Sequence, residues 1–215
     1  MLRSAEVRWF IPQAVSDPIL AWFHDHLPEA LVPEVRQDEY LVFPHCQSVG
    51  VKLRAGRKFE IKALASPPQR LVVNTEVAGF TDQWTKWSFD SLWLQALQAD
   101  LHQSGQWVSV AKRRYLRELS ADGGQIVEIT SDPTIVPAMG CNVELTVVEV
   151  GTHSAPWLTV GFEAFGPHAR LSQTLEQTVE NFFRSQQPPP IPLTQYSSMS
   201  YPAWLARFIS ASDFE

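Results

Sequence analysis

Hydrophobic and polar positions alternate along much of this chain. In VGVKLRAGRKFEIKAL, residues 49–64, Val51 and Leu53 alternate with Lys52 and Arg54. Beyond a turn at Ala55-Gly56-Arg57, Phe59, Ile61 and Ala63 alternate with Lys58, Glu60 and Lys62. Side chains two apart share a face of a strand, so the stretch predicts a hairpin with one apolar and one charged face. Similar runs predict strands over 3–11, 34–43, 70–78, 106–119, 125–130, 141–150 and 157–165. Helical spacing predicts a helix over 16–30, capped by Ser16 or Asp17 with Pro18 in its first turn, and another from Phe89 to Gln103. A third, over about 169–186, carries Leu171, Leu175, Val179 and Phe182 on one stripe. QQPPPIPL then reads as a stiff extended linker, and SYPAWLARFIS as a short apolar tail helix that needs a surface to dock on. The expected division is a barrel domain over 1–186 and a linker with docked tail over 187–215.

Eight or nine strands joined mainly by short turns, with two or three helices between them, give an α+β, mainly β class. Strand runs joined mainly by short turns favour an antiparallel sheet, and a count of eight allows closure into a tunnel-like barrel with flanking helices, which removes exposed edges. Closure inverts the usual meaning of the alternation: if the apolar faces pack outward on helices, the charged faces line the inside. One face from each strand then collects Glu6, Arg8, Lys52, Arg54, Lys58, Glu60, Lys62, Lys112, Arg114, Glu144 and Glu163. Inside a barrel, unpaired charges cost several kcal/mol each, so such a set requires mutual pairing, water or a charged ligand. Two positions fit poorly. The strand around 112–117 carries cations on both faces, and Glu149 falls on the apolar side of its own strand, which implies a bulge or a place at the rim.

Composition narrows the setting. A formal net charge of −6 over 215 residues argues against nucleic acid or an anionic membrane as partner, so any anion site is local. Two cysteines are too few for a disulfide framework or a zinc cluster, which suits a reducing compartment. The first residues lack the apolar core of a signal peptide, and no run reaches the length of a membrane span, so the expectation is a cytoplasmic protein.

The order of segments resembles the CYTH, or triphosphate tunnel metalloenzyme, superfamily over about residues 4–166. The resemblance rests on EVR in the first strand, YLVF followed by VGVKLRAGRKFEIK, then WVSVAKRRY, VELTVVEV and WLTVGFEAFG. It implies an eight-stranded antiparallel tunnel in which Arg8, Lys52, Arg54, Lys58, Lys62, Lys112 and Arg114 bind triphosphate or a related organic phosphate. It further implies that Glu6, Glu144 and Glu163 hold Mg or Mn for metal-dependent hydrolysis. The first strand departs from the family's Glu-x-Glu-x-Lys: Ser4-Ala5-Glu6-Val7-Arg8 lacks one carboxylate and has Arg in place of Lys, which keeps the charge but changes the geometry. Phosphate binding is therefore better supported than catalysis, and no general base is assigned.

Other features stand beside that reading. His24-Asp25-His26 does not share a helix face, so it makes a poor metal site. His45-Cys46 are adjacent in a loop, where nucleophile and base rarely align. Gly123-Gly124 reads as a hairpin turn, with no helix after it to hold phosphate. Eight tryptophans allow a rival barrel of lipocalin type, with Val and Leu facing inward around an apolar or pigment-like ligand. A third reading is a non-catalytic interaction module whose tail docks on a partner or on a second copy, forming a homodimer.

Overall fold

The computed structural model of the protein describes residues 1–12, 17–25, 27, 31–90, 107–129, 136–151, 155–185 and 188–212. The strands are β1 (Leu2–Ile11), β2 (Glu34–Leu41), β3 (Val49–Arg54), β4 (Lys58–Leu64), β5 (Gln69–Val72), β6 (Ala78–Asp90), β7 (Trp107–Ser120), β8 (Val127–Glu128), β9 (Gly140–Val150) and β10 (Trp157–Phe165). The helices are α1 (Asp17–His24), α2 (Leu171–Ser185) and α3 (Tyr201–Ser212). Eight strands close in the order β1-β10-β9-β7-β2-β3-β4-β6, and β6 returns to β1. Every pairing is antiparallel. The short strands β5 and β8 lie outside this ring, on β6 and β7. The α+β, mainly β class and the closed antiparallel barrel are thus observed.

The barrel is inverted as the charged alternation requires. Val7 and Trp9 of β1, Val143 and Leu145 of β9, and Val160 and Phe162 of β10 face outward into a core completed by Trp22 and Phe23 of α1 and Leu175, Val179, Phe182 and Phe183 of α2. Aromatic edges and faces knit this layer: Trp22 stacks on Phe183 at 6.3 Å, and Phe162 meets Phe182 edge-on at 5.3 Å. The lipocalin arrangement, which needs these apolar faces inside, is overturned.

Several boundaries differ from the sequence expectation. The strand expected over 70–78 is split into β5 and the start of β6, and β6 then runs on to Asp90. Its polar residues occupy both faces, and Trp84 and Trp87 point opposite ways, so it has no amphipathic signature. The helix expected from Phe89 begins instead as the end of β6, and its remainder lies outside the described residues. In the 16–30 segment α1 is assigned only over Asp17–His24, and residues 26 and 28–30 are not described. The register of β7 on β9 runs unbroken from Val110↔Val150 to Ser120↔Gly140, so Glu149 sits exposed at the strand end without a bulge. Of the outward cations of β7, Arg113 is exposed and Arg117 is buried beneath α1: Arg117 grips both carboxylate oxygens of Glu128 at 2.8 and 2.6 Å and donates to the Phe23 carbonyl at 2.9 Å.

The tail enters the sheet. At one end of the barrel β1 and β6 splay apart after Val7↔Thr81. The segment 193–199 fills the gap: the Ala78 amide donates to the Leu193 carbonyl, the Phe10 amide to Ser197, and the Met199 amide to Arg8. Gly79 gives the room this needs, since a Cβ there would lie 2.8 Å from the Ser198 hydroxyl and 3.0 Å from the Trp9 ring. Helix α3 then plugs the barrel mouth. Phe10, Tyr40, Val42, Val110, Val148 and Val150, the inward residues at this end, pack on Trp204 and Leu205. Phe10 and Trp204 stack at 4.6 Å.

Candidate functional site: a charged tunnel

Inside the unplugged part of the barrel, the inward face of each strand delivers its charges to one cavity of about 110 Å³. Eight cations line it, Arg8, Arg36, Lys52, Arg54, Lys62, Lys86, Lys112 and Arg114, against five carboxylates, Glu6, Glu60, Asp82, Glu144 and Glu163. All the phosphate and metal candidates named from sequence therefore meet here, with one exception. Lys58 lies at the rim, half-exposed and 3.7 Å from Asp90, because the hairpin turn carries it past the end of the tunnel.

The cations are held by a connected set of ion pairs. Glu144 receives Arg8 at 2.8 Å on one oxygen and Arg114 at 2.8 Å on the other. Burial alone would raise its pKa, yet the two guanidinium groups hold it far below the usual carboxylate range. Asp38, fully buried, draws Lys112 to 3.3 Å, Arg36 to 3.4 Å and Lys52 to 3.5 Å. Burial opposes its charge and the three cations outweigh that, bringing it down to about 2. Lys52 also reaches Glu60 at 3.1 Å. Lys62 binds Glu6 closely and stands 3.8 Å from Glu163. Arg114 also grips Glu34 at the rim.

Two features set the wall apart from a self-satisfied ion-pair network. On neighbouring strands at paired positions, Arg114 Nε and Thr146 Oγ1 are buried with no hydrogen-bond partner in the protein. Lys86 makes no ion pair among the described residues, although it lines the cavity. The Arg114 Nε–H and the Lys86 ammonium are donors, and the Thr146 hydroxyl can donate, so all three can serve an acceptor.

The carboxylates do not form the metal set expected from sequence. Both oxygens of Glu144 are taken by arginines, and among the described residues no group of three or more His, Cys, Asp or Glu is placed to hold a metal ion. What the barrel brings beside Glu6 is different: Glu163 of β10 on one side and Asp82 of β6 on the other, each directly opposite in register. Crowding raises two of the three. Burial and the nearby Glu6 push Asp82 up to about 7, and burial with Glu6 also raises Glu163. Glu6 itself is lowered, since Lys62 and the Ser4 hydroxyl outweigh its burial.

At the plugged end the cavity floor is aromatic. The rings of Tyr40 and Tyr201 lie nearly parallel at 5.6 Å, and Lys112 sits 4.0 Å from the Tyr201 ring centre while bonding the Tyr40 hydroxyl at 2.6 Å. Arg36, Asp38, Tyr40, Asp82, Trp84, Lys86, Thr146 and Tyr201 were missed from sequence. Arg36, Asp38 and Tyr40 follow the same alternation in EVRQDEYL as the hairpin does. The β6 residues follow no visible pattern, and Tyr201 reaches the site only through the path of the tail.

Fold and site together define a closed eight-stranded antiparallel barrel with a net basic, aromatic-floored tunnel. No family model and no curated protein matches the chain. Among solved structures it is similar to a "putative adenylate cyclase" from Bacillus halodurans, with 11% identity over 87% of this chain and 95% of the other, at a TM-score of 0.38. No helix among the described residues is long and apolar enough to cross a membrane.

Proposed function

We propose that the tunnel binds a triphosphate or a related organic phosphate, in keeping with the CYTH-like order of the segments. The observation that carries this is the excess of cations over carboxylates in one enclosed cavity, with two adjacent buried donors and Lys86 left for an acceptor. A polyphosphate brings several charged oxygens to that wall, and charge-assisted bonds to Arg and Lys are the strong ones. The bound anion would share cations now held by carboxylates, so affinity arises from the excess charge and not from all eight. The available carboxylates do not fit one shared ion, so the proposal stops at binding and includes no hydrolytic step; Mg or Mn would arrive with the ligand.

The test is calorimetric titration with inorganic triphosphate, with and without Mg²⁺ or Mn²⁺, and phosphate release measured in the same samples. Binding is expected without metal. Lys86→Gln should weaken it about tenfold, the loss of one charge-assisted contact, while leaving the unfolding midpoint close to that of the native chain. No heat of binding in either condition would sink the reading. Metal-dependent release would restore the hydrolase reading and put the Glu6, Asp82 and Glu163 row at its centre.

A further inference from the structure

On β1, β7, β9 and β10 the inward residue changes from polar to apolar at one level of the barrel. Arg8 gives way to Phe10, Lys112 to Val110, Thr146 to Val148 and Thr159 to Trp157. The apolar members pack on Trp204 and Leu205 of α3, so the polar ones form a collar around the first turn of that helix. Ser200, Tyr201 and Pro202 line the tunnel cavity, and α3 runs from them into the plug. Its N-terminal end, the positive pole of the helix dipole, therefore faces the tunnel.

That pole lacks an anion of its own. The first turn of α3 has no acidic residue, and the charges over the Tyr201 ring are cations, Lys112 at 4.0 Å and Arg8 at 5.1 Å from its centre. Their carboxylate partners, Asp38 and Glu144, sit on the barrel wall. Donors are also left over. The Ser200 carbonyl and hydroxyl take the Trp204 and Ala203 amides, and Pro202 has no amide hydrogen. Among the described residues the Ser200 and Tyr201 amides meet no acceptor. The collar adds the Thr146 hydroxyl, 1% exposed and unpartnered, and across the β7–β9 pair the unpartnered Arg114 Nε–H.

Resting on the phosphate reading above, we infer that the N-terminus of α3 and the Thr146 hydroxyl form the seat of the ligand's terminal phosphoryl group. The ligand is then a phosphate chain with a free end, and that end enters the tunnel first. A terminal phosphoryl group offers three acceptor oxygens and a charge of about −1.5 to −2. That suits amides at a helix start together with a hydroxyl and a guanidinium. A unit bridged on both sides has fewer oxygens and less charge to give them.

The test is calorimetry on the full chain with linear triphosphate and with trimetaphosphate, the cyclic form that has no end. The native protein should bind the linear form about tenfold more tightly or better. Thr146→Val keeps the shape and removes the unpartnered hydroxyl. It should raise the unfolding midpoint of the empty protein, because an unsatisfied buried group is relieved, yet weaken linear triphosphate about tenfold and trimetaphosphate much less. Ser200→Asp and Ser200→Asn both keep a good helix cap and differ in charge at the pole. The first should bind linear triphosphate about tenfold more weakly than the second, with a smaller gap for trimetaphosphate. If the linear and cyclic anions bind alike and Thr146→Val moves neither, or if the two Ser200 variants bind alike, the seat is wrong and the phosphate tunnel stands. If Thr146→Val lowers the midpoint and both affinities together, the hydroxyl is structural and the seat is again overturned. If neither anion binds the native protein, both readings fall.

Discussion

At the scale of single residues, two positions govern how the tunnel tolerates its charges. Gly161 of β10 faces inward opposite Arg8, and a Cβ there would lie 2.6 Å from the guanidinium carbon. Gly161→Ala should displace Arg8 from Glu144 and from Thr159, which it bonds at 3.0 Å. Breaking a buried ion pair costs about 3–5 kcal/mol, and a loss near the lower figure is expected in urea unfolding, together with weaker triphosphate binding. Asp82 governs the response to pH. Its pKa rises from 3.8 in the unfolded chain to about 7 when folded, so between those values the folded protein keeps a proton that the unfolded chain gives up. Its stabilising contribution is therefore full below about pH 4 and is lost as pH rises through 7. The native protein should lose about 2 kcal/mol between pH 5 and 8 from this source, and Asp82→Asn should flatten that slope. Equal slopes in denaturant titrations of the two proteins would assign the effect elsewhere.

At the scale of elements, the β3–β4 hairpin shows both the strength and the reach of sequence reading. Its alternation places Lys52, Arg54, Glu60 and Lys62 in the tunnel correctly, because period two is a property of the strand itself. Its turn is less favourable than it needs to be. Within the loop 55–57, Ala55 and Gly56 both have positive φ, 48° and 65°, and the Arg57 amide donates to the Arg54 carbonyl at 3.0 Å, a turn whose two central positions prefer Asn-Gly. Ala55→Asn should raise stability by about 0.5–1 kcal/mol, read as a higher urea midpoint at unchanged m-value, with triphosphate affinity unaffected. Lys58, one step past the turn, was misplaced because alternation gives a face and not how far the barrel extends. The rest of the site was illegible for physical reasons: β6 is polar on both faces, and the wedge 193–199 bonds through its backbone, which leaves no pattern in side chains. That the tail would dock was readable from its apolar face. That it would plug its own barrel depends on β1 and β6 splaying apart, a long-range event that no local window contains.

At the scale of the whole molecule, an acidic protein holds a basic interior by pairing nearly every inner cation with a carboxylate of depressed pKa. Asp38, Glu144, Glu6, Glu60 and Glu34 are all lowered. For such groups the stabilising contribution is present above the unfolded values of 3.8 to 4.5 and is lost as pH falls through the folded ones, about 2 for Asp38. Acid then strips the tunnel of its anions and leaves its cations facing one another across a low-dielectric space. On this account the melting temperature should fall steeply below pH 4. Inorganic triphosphate remains a multiply charged anion at pH 4, while Asp82 and Glu163, whose pKa values burial and Glu6 raise, take up protons on the way down from pH 7 and so repel it less; the stabilisation it gives should be larger at pH 4 than at pH 7. A ligand attached to the outer surface would behave oppositely or show no trend, since surface pairs contribute little at either pH. Thermal unfolding at a fixed triphosphate concentration across pH 3.5–8 decides between them: an increment that grows on acidification places the anion among the paired cations of the tunnel, and one that is flat or shrinks removes it from there.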